Sequence, residues 1–271
     1  RDDEITGGCP CSKSSGARST DPRMKKDCSF VYDRDCTKDI CAVGAITNFT
    51  ARLSDSMFWS NVEQSSKQGR NRRPSSMRGA NRFCCSDTWA MKESLMFVTH
   101  FVGDIHQPLH CSRKTDLGGN KIHVYFGQNL QFPVIDSRGL MHSNWNLHAV
   151  WDDAIISQAI DATGSRYHFE KEIQYVIDMA ESSGHIDDWL RCSDGRDIKC
   201  ASEWAEESWE DALTWAYRDE HAKAITDGTY LSVEYFSTRL PVVKRRLAAA
   251  GVRLAASLEY ALANFTICDE T

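Results

Sequence analysis

Two histidine–aspartate pairs with the same spacing carry most of the chemistry this sequence can offer. His100-Phe-Val-Gly-Asp104 and His148-Ala-Val-Trp-Asp152 each set an imidazole and a carboxylate four residues apart. On a helix that spacing puts both side chains on one face, about one turn apart, which suits two ligands converging on a single cation. One such pair is weak, because a core histidine bonded to a carboxylate gives the same pattern. Two pairs within residues 100–152, with a third histidine, His110, just beyond Pro108, are much harder to explain that way. Imidazole and carboxylate donors without thiolates point to zinc, with manganese or iron as rarer choices. If two ions lie close together, metal-assisted phosphoester hydrolysis becomes the leading chemistry, one ion activating water while its neighbours clamp the attacking and leaving oxygens.

These residues need rigid elements to hold them. The first pair lies in a segment, Glu93 to His110, that is apolar almost all round from Leu95 to Val102. It therefore predicts a buried helix. A buried helix should not carry an ionised Asp104 unless that carboxylate is paired, hydrogen-bonded or on a metal. Pro108 should end the helix near Gln107, leaving His110 on a turn that folds its imidazole back. Met91, Leu95, Val98 and Val102 recur at helical spacing, as do Phe169, Ile173, Val176, Ile177 and Ala180, and Leu247, Leu254, Leu258 and Leu262. Lys121 to Phe126 alternates like a strand, with Gly127-Gln128 as the turn of a hairpin. The expected fold is mainly α, a single-domain helical bundle with a small β-hairpin. His106, two residues past Asp104, reads as structural or as a support to the site. His123 reads as packing or surface, and His142, His168, His185 and His221 show no partner pattern. Trp204, Trp209 and Trp215 fit packing roles.

The 271 residues carry a net charge of −6, are 41% hydrophobic and 26% charged, and include 16 glycines and 6 prolines. That composition describes a folded globular protein with a substantial core. It argues against a partner that works by blanketing phosphates with Lys and Arg, although metal-centred phosphate chemistry escapes the objection because cations carry the positive charge. No uncharged apolar run reaches the length of a membrane span. The sequence starts at Arg1 without an apolar leader, as a mature product or an excerpt would. Residues 1–27 read as a polar loop or terminus, and residues 63–82 as a basic stretch carrying Lys67, Arg70, Arg72, Arg73, Arg78 and Arg82, a solvated insertion loop that could brush a polyanion.

Eleven cysteines are many, and no C-x2-C unit supports a zinc finger. Cys36 with Cys41 and Cys192 with Cys200 would close short loops, the pairing an oxidising compartment gives. Acceptor sequences for N-glycosylation at Asn48 and Asn264 agree with it. The expected location is secreted or cell-surface, or another compartment of the secretory pathway such as a lysosome. The odd count leaves at least one cysteine free or paired outside the chain.

His100-Phe-Val-Gly-Asp-Ile-His-Gln-Pro-Leu-His110, Gly118-Gly119-Asn120 and Asn146-Leu-His148-Ala-Val-Trp-Asp152 together resemble the S1/P1 nuclease family, zinc-dependent single-strand nucleases and 3′-nucleotidases that share their fold with bacterial zinc phospholipase C. Cys28 to Thr50 and the stretches Trp204 to Ser208 and Ala250 to Ala255 match as well, so that residues 28–265 form the nuclease-like domain and residues 266–271 a tail. The resemblance implies three zinc ions. His110, His148 and Asp152 match the side-chain ligands of one. His100 and Asp104 match two ligands of a second, with Asp104 bridging to the third. It implies no catalytic residue beyond these ligands and names no substrate-binding residue; Asn120 is expected in a turn role, with contact to substrate as the lesser alternative. It also implies a substrate of single-stranded DNA or RNA, cleaved to 5′-mononucleotides, or of nucleotides bearing a 3′-phosphate, with no obligate protein partner and a monomeric state.

Two departures qualify the resemblance. Members of that family begin with a Trp that binds zinc through its amino group and carbonyl, followed by a His, an Asp and a His. This chain has no histidine before His100. Asp2, Asp3 and Asp21 have no motif to support them as substitutes. Either the first part is lost, leaving unrelated residues 1–27, or the chain is a variant that keeps one complete zinc site and half of another. The resemblance also matches Cys28 to a cysteine that pairs near the position of Leu213. That partner is missing here, so Cys28 is free or pairs with Cys84, Cys85, Cys111 or Cys268.

Overall fold

The computed structural model describes residues 30–54, 89–127, 134–135, 141–142, 145–192 and 197–263. The N-terminal segment with Asp2, Asp3, Asp21 and Cys28, the basic stretch at residues 63–82, Cys84, Cys85, Asn264, Cys268 and the tail lie outside the described residues.

Helices dominate, as their apolar periodicity requires. A short α1 (Tyr32–Asp35) and a 3-10 turn (Thr37–Asp39) lead into α2 (Ala42–Ser54), which packs along α3 (Trp89–Ile105). Two 3-10 turns, Pro108–Cys111 and Lys114–Asp116, connect α3 to the strand β1 (His123–Phe126). After β2 (Val134–Ile135), β3 (Met141–His142) and β4 (Trp145–Asn146) comes one continuous helical rod. It begins as α4 (Leu147–Ala149), passes through a π-helical turn at Val150–Ala154 and continues as α5 (Ile155–Thr163). Then follow α6 (Arg166–Ser182), α7 (Ile186–Leu190), and α8 (Ile198–Asp211) with a second π turn at Ala212–Ala216. Strand β5 (Thr229–Leu231) and the 30-residue α9 (Val233–Leu262) complete the described residues.

The sheet differs from the expected tight hairpin. β1 pairs antiparallel with β4, His123 opposite Asn146, and parallel with β5, Val124 opposite Thr229. The alternation of Val124 and Phe126 inward against His123 outward identified the strand. Its partners could not be read from Gly127-Gln128, because they are chosen by the apolar residues that the pairing brings to one face. β2 and β3 form a separate two-stranded ribbon.

Two cores result. One gathers Val124, Phe126, Trp151, Ile155, Phe169 and Tyr235 around the sheet. The other gathers Val43, Ile46, Val98, Val102, Ile105 and Trp204 between α2, α3 and α8. Helix α9 runs past both, contributing Val242 and Val243 to the first and Ala261 to the second. Its start is fixed by Ser232, whose hydroxyl accepts from the Glu234 and Tyr235 amides. The expectation that α3 is buried all round is corrected. Val98, Val102 and Ile105 are fully buried, but Leu95 and Met96 are exposed. The helix packs against α2, α8 and α9, and it carries apolar residues that this packing leaves exposed. Leu247 is likewise exposed, whereas Leu254 and Leu258 pack against the second core.

Both short disulfides are formed, Cys36–Cys41 and Cys192–Cys200. Cys111 is buried with a free thiol, so it does not pair with Cys28. Among the described residues no helix is long and apolar enough to cross a membrane.

Candidate metal centre

Three short segments meet to build the site. The first is the C-terminal half of α3, where His100 Nε2 lies 3.1 Å from Asp104 Oδ2. The second is the turn after it. The Gln107 side-chain oxygen caps this turn by accepting from the Leu109 amide at 2.5 Å, and Pro108 occupies its first position. The chain reverses there, as the proline predicted, and swings His110 back so that Nδ1 stands 3.8 Å from Asp104 Oδ1. The third segment is α4 with its π turn. Asn146 caps it, accepting from the Ala149 amide at 2.7 Å. His148 is in the first turn and Asp152 within the π segment, where i→i+5 bonding widens the helix.

The Asp152 carboxylate is the centre of this arrangement. Its Oδ1 meets His110 Nε2 at 3.1 Å and accepts from Gln107 Nε2 at 2.6 Å, while Oδ2 meets His148 Nε2 at 3.2 Å. Burial alone would raise its pKa. The hydrogen bonds from His110, His148 and Gln107 outweigh that and hold the carboxyl far below the usual range, ionised at any ordinary pH. The two imidazoles stack at 4.8 Å between centroids, 17° from parallel.

His148 is oriented from behind. Its Nδ1 lies 2.9 Å from the Gly118 carbonyl oxygen. A carbonyl only accepts, so Nδ1 carries a proton, and Nε2, here against Asp152, is the nitrogen that would turn its lone pair to a metal. This is the usual support of a metal-binding histidine. Gly118 belongs to a run of three left-handed residues, Leu117, Gly118 and Gly119, with φ of 53°, 63° and 84°. A side chain at Gly118 would strike the Leu109 carbonyl, which explains why the Gly-Gly pair stands here. Asn120 donates from its side chain to the Leu117 carbonyl at 2.8 Å, the turn role expected for it.

One ligand atom from each of His110, His148 and Asp152 can be chosen so that all three lie within 4.8 Å of one another. Two imidazoles and a carboxylate at this spacing fit a zinc ion with open coordination positions. His100 and Asp104 join this group through His110, so the five residues singled out in the sequence form one patch. A cavity of about 250 Å³ opens beside them, bounded by Asp104, Gln107, His110 and Asp152 on one side and by Arg246 and Leu247 on the other. A larger cavity of about 650 Å³ runs along Phe49, Phe97 and Phe101 and includes none of the five.

Helix α9 supports the site through buried arginines. Arg239, Arg246 and Arg253 recur every seven residues and are each at most 4% exposed. Arg246 donates to the His106 carbonyl at 3.2 Å and to Glu207 at 2.7 Å. Ser208 donates to the Ile105 carbonyl at 2.5 Å. The open carbonyls at the end of the ligand-bearing helix are thus satisfied by other elements. His106 is structural, as its position two residues past Asp104 implied. It donates from Nδ1 to Val102 at 2.7 Å and accepts from Arg253 at 3.0 Å. Desolvation, with Arg246 and Arg253 nearby, keeps it neutral, its pKa well below the usual value. Sequence reasoning missed Gln107, Asn146 and these arginines. A Gln before Pro and an Asn before a helix are recognisable capping signals, whereas three arginines among apolar residues read as a solvated face.

The model of the S1/P1 nuclease family matches residues 18–263, and the chain belongs to that family. It is 35% identical over 233 residues to Endonuclease 3 of Arabidopsis thaliana, covering 85% of this chain and 64% of the relative. It is 33% identical to Endonuclease 1 of the same plant, covering 84% of this chain and 62% of that protein, and 26% identical to Nuclease P1 of Penicillium citrinum, covering 84% and 69%. The chain thus spans somewhat less than two thirds of the length of these two plant endonucleases.

Proposed function

We propose that this protein is a zinc-dependent phosphoesterase that hydrolyses single-stranded DNA or RNA to 5′-mononucleotides and removes 3′-phosphates from nucleotides. The observation that carries this reading is the convergence of His110, His148 and Asp152 around one point, with His148 turned by Gly118 to present Nε2. We assign these three as the ligands of one zinc, and His100 with Asp104 as part of a neighbouring site. When bound, zinc supplies Lewis-acid polarisation of a phosphoryl oxygen and a lowered pKa for coordinated water. The chain's own residues do the holding. Gln107 fixes the Asp152 carboxylate, Gly118 fixes the His148 tautomer, and the turn at Pro108 brings His110 between the two aspartates. Family membership supports a nucleic-acid substrate, and the short disulfides support a secreted or cell-surface location. A monomer without an obligate protein partner fits the same reading.

A second reading has its own support. Among the described residues the triad is the single group of three potential ligands. On that reading one zinc staples the helices together and no turnover occurs. Zinc analysis of dialysed protein, paired with assays on single-stranded DNA, a 3′-nucleotide and phosphatidylcholine, separates the possibilities. About three zinc ions and nucleotide release abolished by chelation are expected for the enzyme. About one zinc and no hydrolysis at any pH would establish the staple, and cleavage of phosphatidylcholine alone would replace the nuclease with a phospholipase C-type activity. No bound zinc would remove the site assignment itself.

A further inference from the structure

Tyr217 stands far from the metal ligands in sequence and does not touch them, yet it joins the two loops that support two of them. Its hydroxyl donates to Asp116 Oδ1 at 2.8 Å. That same oxygen accepts from the Gly119 amide at 2.8 Å, so the carboxylate pins the Gly-Gly turn whose Gly118 carbonyl accepts from His148. On its other side the Tyr217 hydroxyl lies 3.1 Å from Ser112 Oγ. With the Tyr217 proton on Asp116, the Ser112 proton serves the Tyr217 oxygen or the Leu109 carbonyl oxygen 2.6 Å away, on the residue just before His110. The ring is 3% exposed, with the Arg113 guanidinium 4.2 Å above its centroid. Its own placement comes from the π turn at Ala212–Ala216, which ends with the Tyr217 amide donating to the Ala212 carbonyl at 3.0 Å.

We infer that Tyr217 is a positioning residue for the metal centre, its hydroxyl tying the Asp116–Gly119 turn behind His148 to the Ser112–Leu109 turn beside His110. The inference rests on the zinc assignment proposed above. The bond geometry favours this role over plain core filling. A phenyl ring would pack equally well against Arg113, whereas only an oxygen can join a carboxylate on one loop to a hydroxyl on the other. Outer supports of this kind change metal affinity without contacting the metal, typically by about 10- to 100-fold. An indirect brace two bonds removed from His148 belongs near the lower end of that range.

The test compares wild type with Tyr217→Phe, using two readouts on the folded protein. Zinc affinity is measured by competition with a chelator, and the His148 tautomer in the zinc-free protein is read from its ring 15N shifts. Ser232→Ala, which removes the cap of α9 and none of the bonds of these turns, serves as a control for general loss of stability. Wild type should bind zinc with His148 protonated on Nδ1. Tyr217→Phe should bind about 10-fold more weakly and show a mixed tautomer, while Ser232→Ala keeps wild-type affinity. Should Tyr217→Phe fail to fold, Ser112→Ala cuts the other side of the link and is expected to weaken zinc binding in the same sense. Unchanged affinity and tautomer in the folded variants would overturn the positioning role alone. A wild-type protein that binds no zinc would overturn the metal assignment and this inference with it.

Discussion

Replacing Gly118 by alanine tests the site from behind, at a position no metal would touch. Two costs add at this residue. Its φ of +63° lies in the left-handed region, where a Cβ costs about 1–2 kcal/mol relative to glycine. The added carbon would also sit 2.6 Å from the Leu109 carbonyl oxygen and 3.2 Å from His148 Nδ1. The first contact is with backbone, so the turn itself must shift, at a further cost of roughly 1–3 kcal/mol. Gly164 isolates the first cost. It too is left-handed, with φ of +83°, but a Cβ there would meet nothing within 4 Å. Denaturant or thermal unfolding of both variants, with and without zinc, gives the comparison. Gly164→Ala should lose about 1–2 kcal/mol in either state. Gly118→Ala should lose about 2–5 kcal/mol, with the gap between zinc-loaded and zinc-free protein narrowed, because the movement carries the Gly118 carbonyl away from His148. If Gly118→Ala is no worse than Gly164→Ala and binds zinc normally, the turn does not orient His148 and the reasoning fails.

Three further outcomes are expected. Burial pushes the Cys111 thiol up to about 12, so peptide mapping after alkylation at pH 8 should find it unmodified in the native protein and modified once the protein unfolds; rapid native labelling would show that α3 and the following turn open easily. Replacing Cys192 and Cys200 together by serine opens a short loop and should cost about 2–3 kcal/mol by loop-closure entropy, seen as a fall of about 5–10 °C in melting temperature; an unchanged melting point would mean the denatured chain gains nothing from the opened loop. Burial acts to raise the Glu207 pKa, but the bonds from Arg253 and Arg246 outweigh it and hold the carboxyl below its usual 4.5. Its contribution to stability is therefore complete above about pH 4.5 and lost as the pH falls through the folded value, so the advantage of wild type over Glu207→Gln should shrink on acidification, and a pH-independent difference would refute the ion pairing.

The part of the site that was legible in the sequence is the part set by local geometry. A spacing of four residues fixes a shared helical face wherever the helix goes, so His100 with Asp104 and His148 with Asp152 could be paired on sight. Pro108 fixes φ and removes a donor, so the reversal that returns His110 could be foreseen too. Distant partners follow a different logic. The parallel pairing of β1 with β5 and the link from Tyr217 to Asp116 depend on which surfaces remain open after everything else has packed, which no local window contains. The exposure of Leu95 and Met96 illustrates the limit of patterning. An apolar residue on a helix shows what could be buried, and the number of neighbours decides what is. Arg246 misleads in the opposite sense, since its charge predicts solvent while its fork of donors is spent on the His106 carbonyl and Glu207.

The reach of the last helix bears on the order in which the molecule comes together. Arg246 meets a carbonyl 140 residues upstream and Arg253 a ring 147 residues upstream, and β5, just before that helix, completes the sheet beside His148. Contacts of such high order form late, because the chain between them must be closed first. A polypeptide still emerging from the ribosome would hold all five candidate ligands long before the helix that steadies them exists. Metal capture should therefore follow synthesis of α9, and in refolding experiments zinc uptake should keep pace with docking of that helix, not with the earlier appearance of helical signal. Uptake that precedes that docking would show that the ligand turns organise themselves unaided.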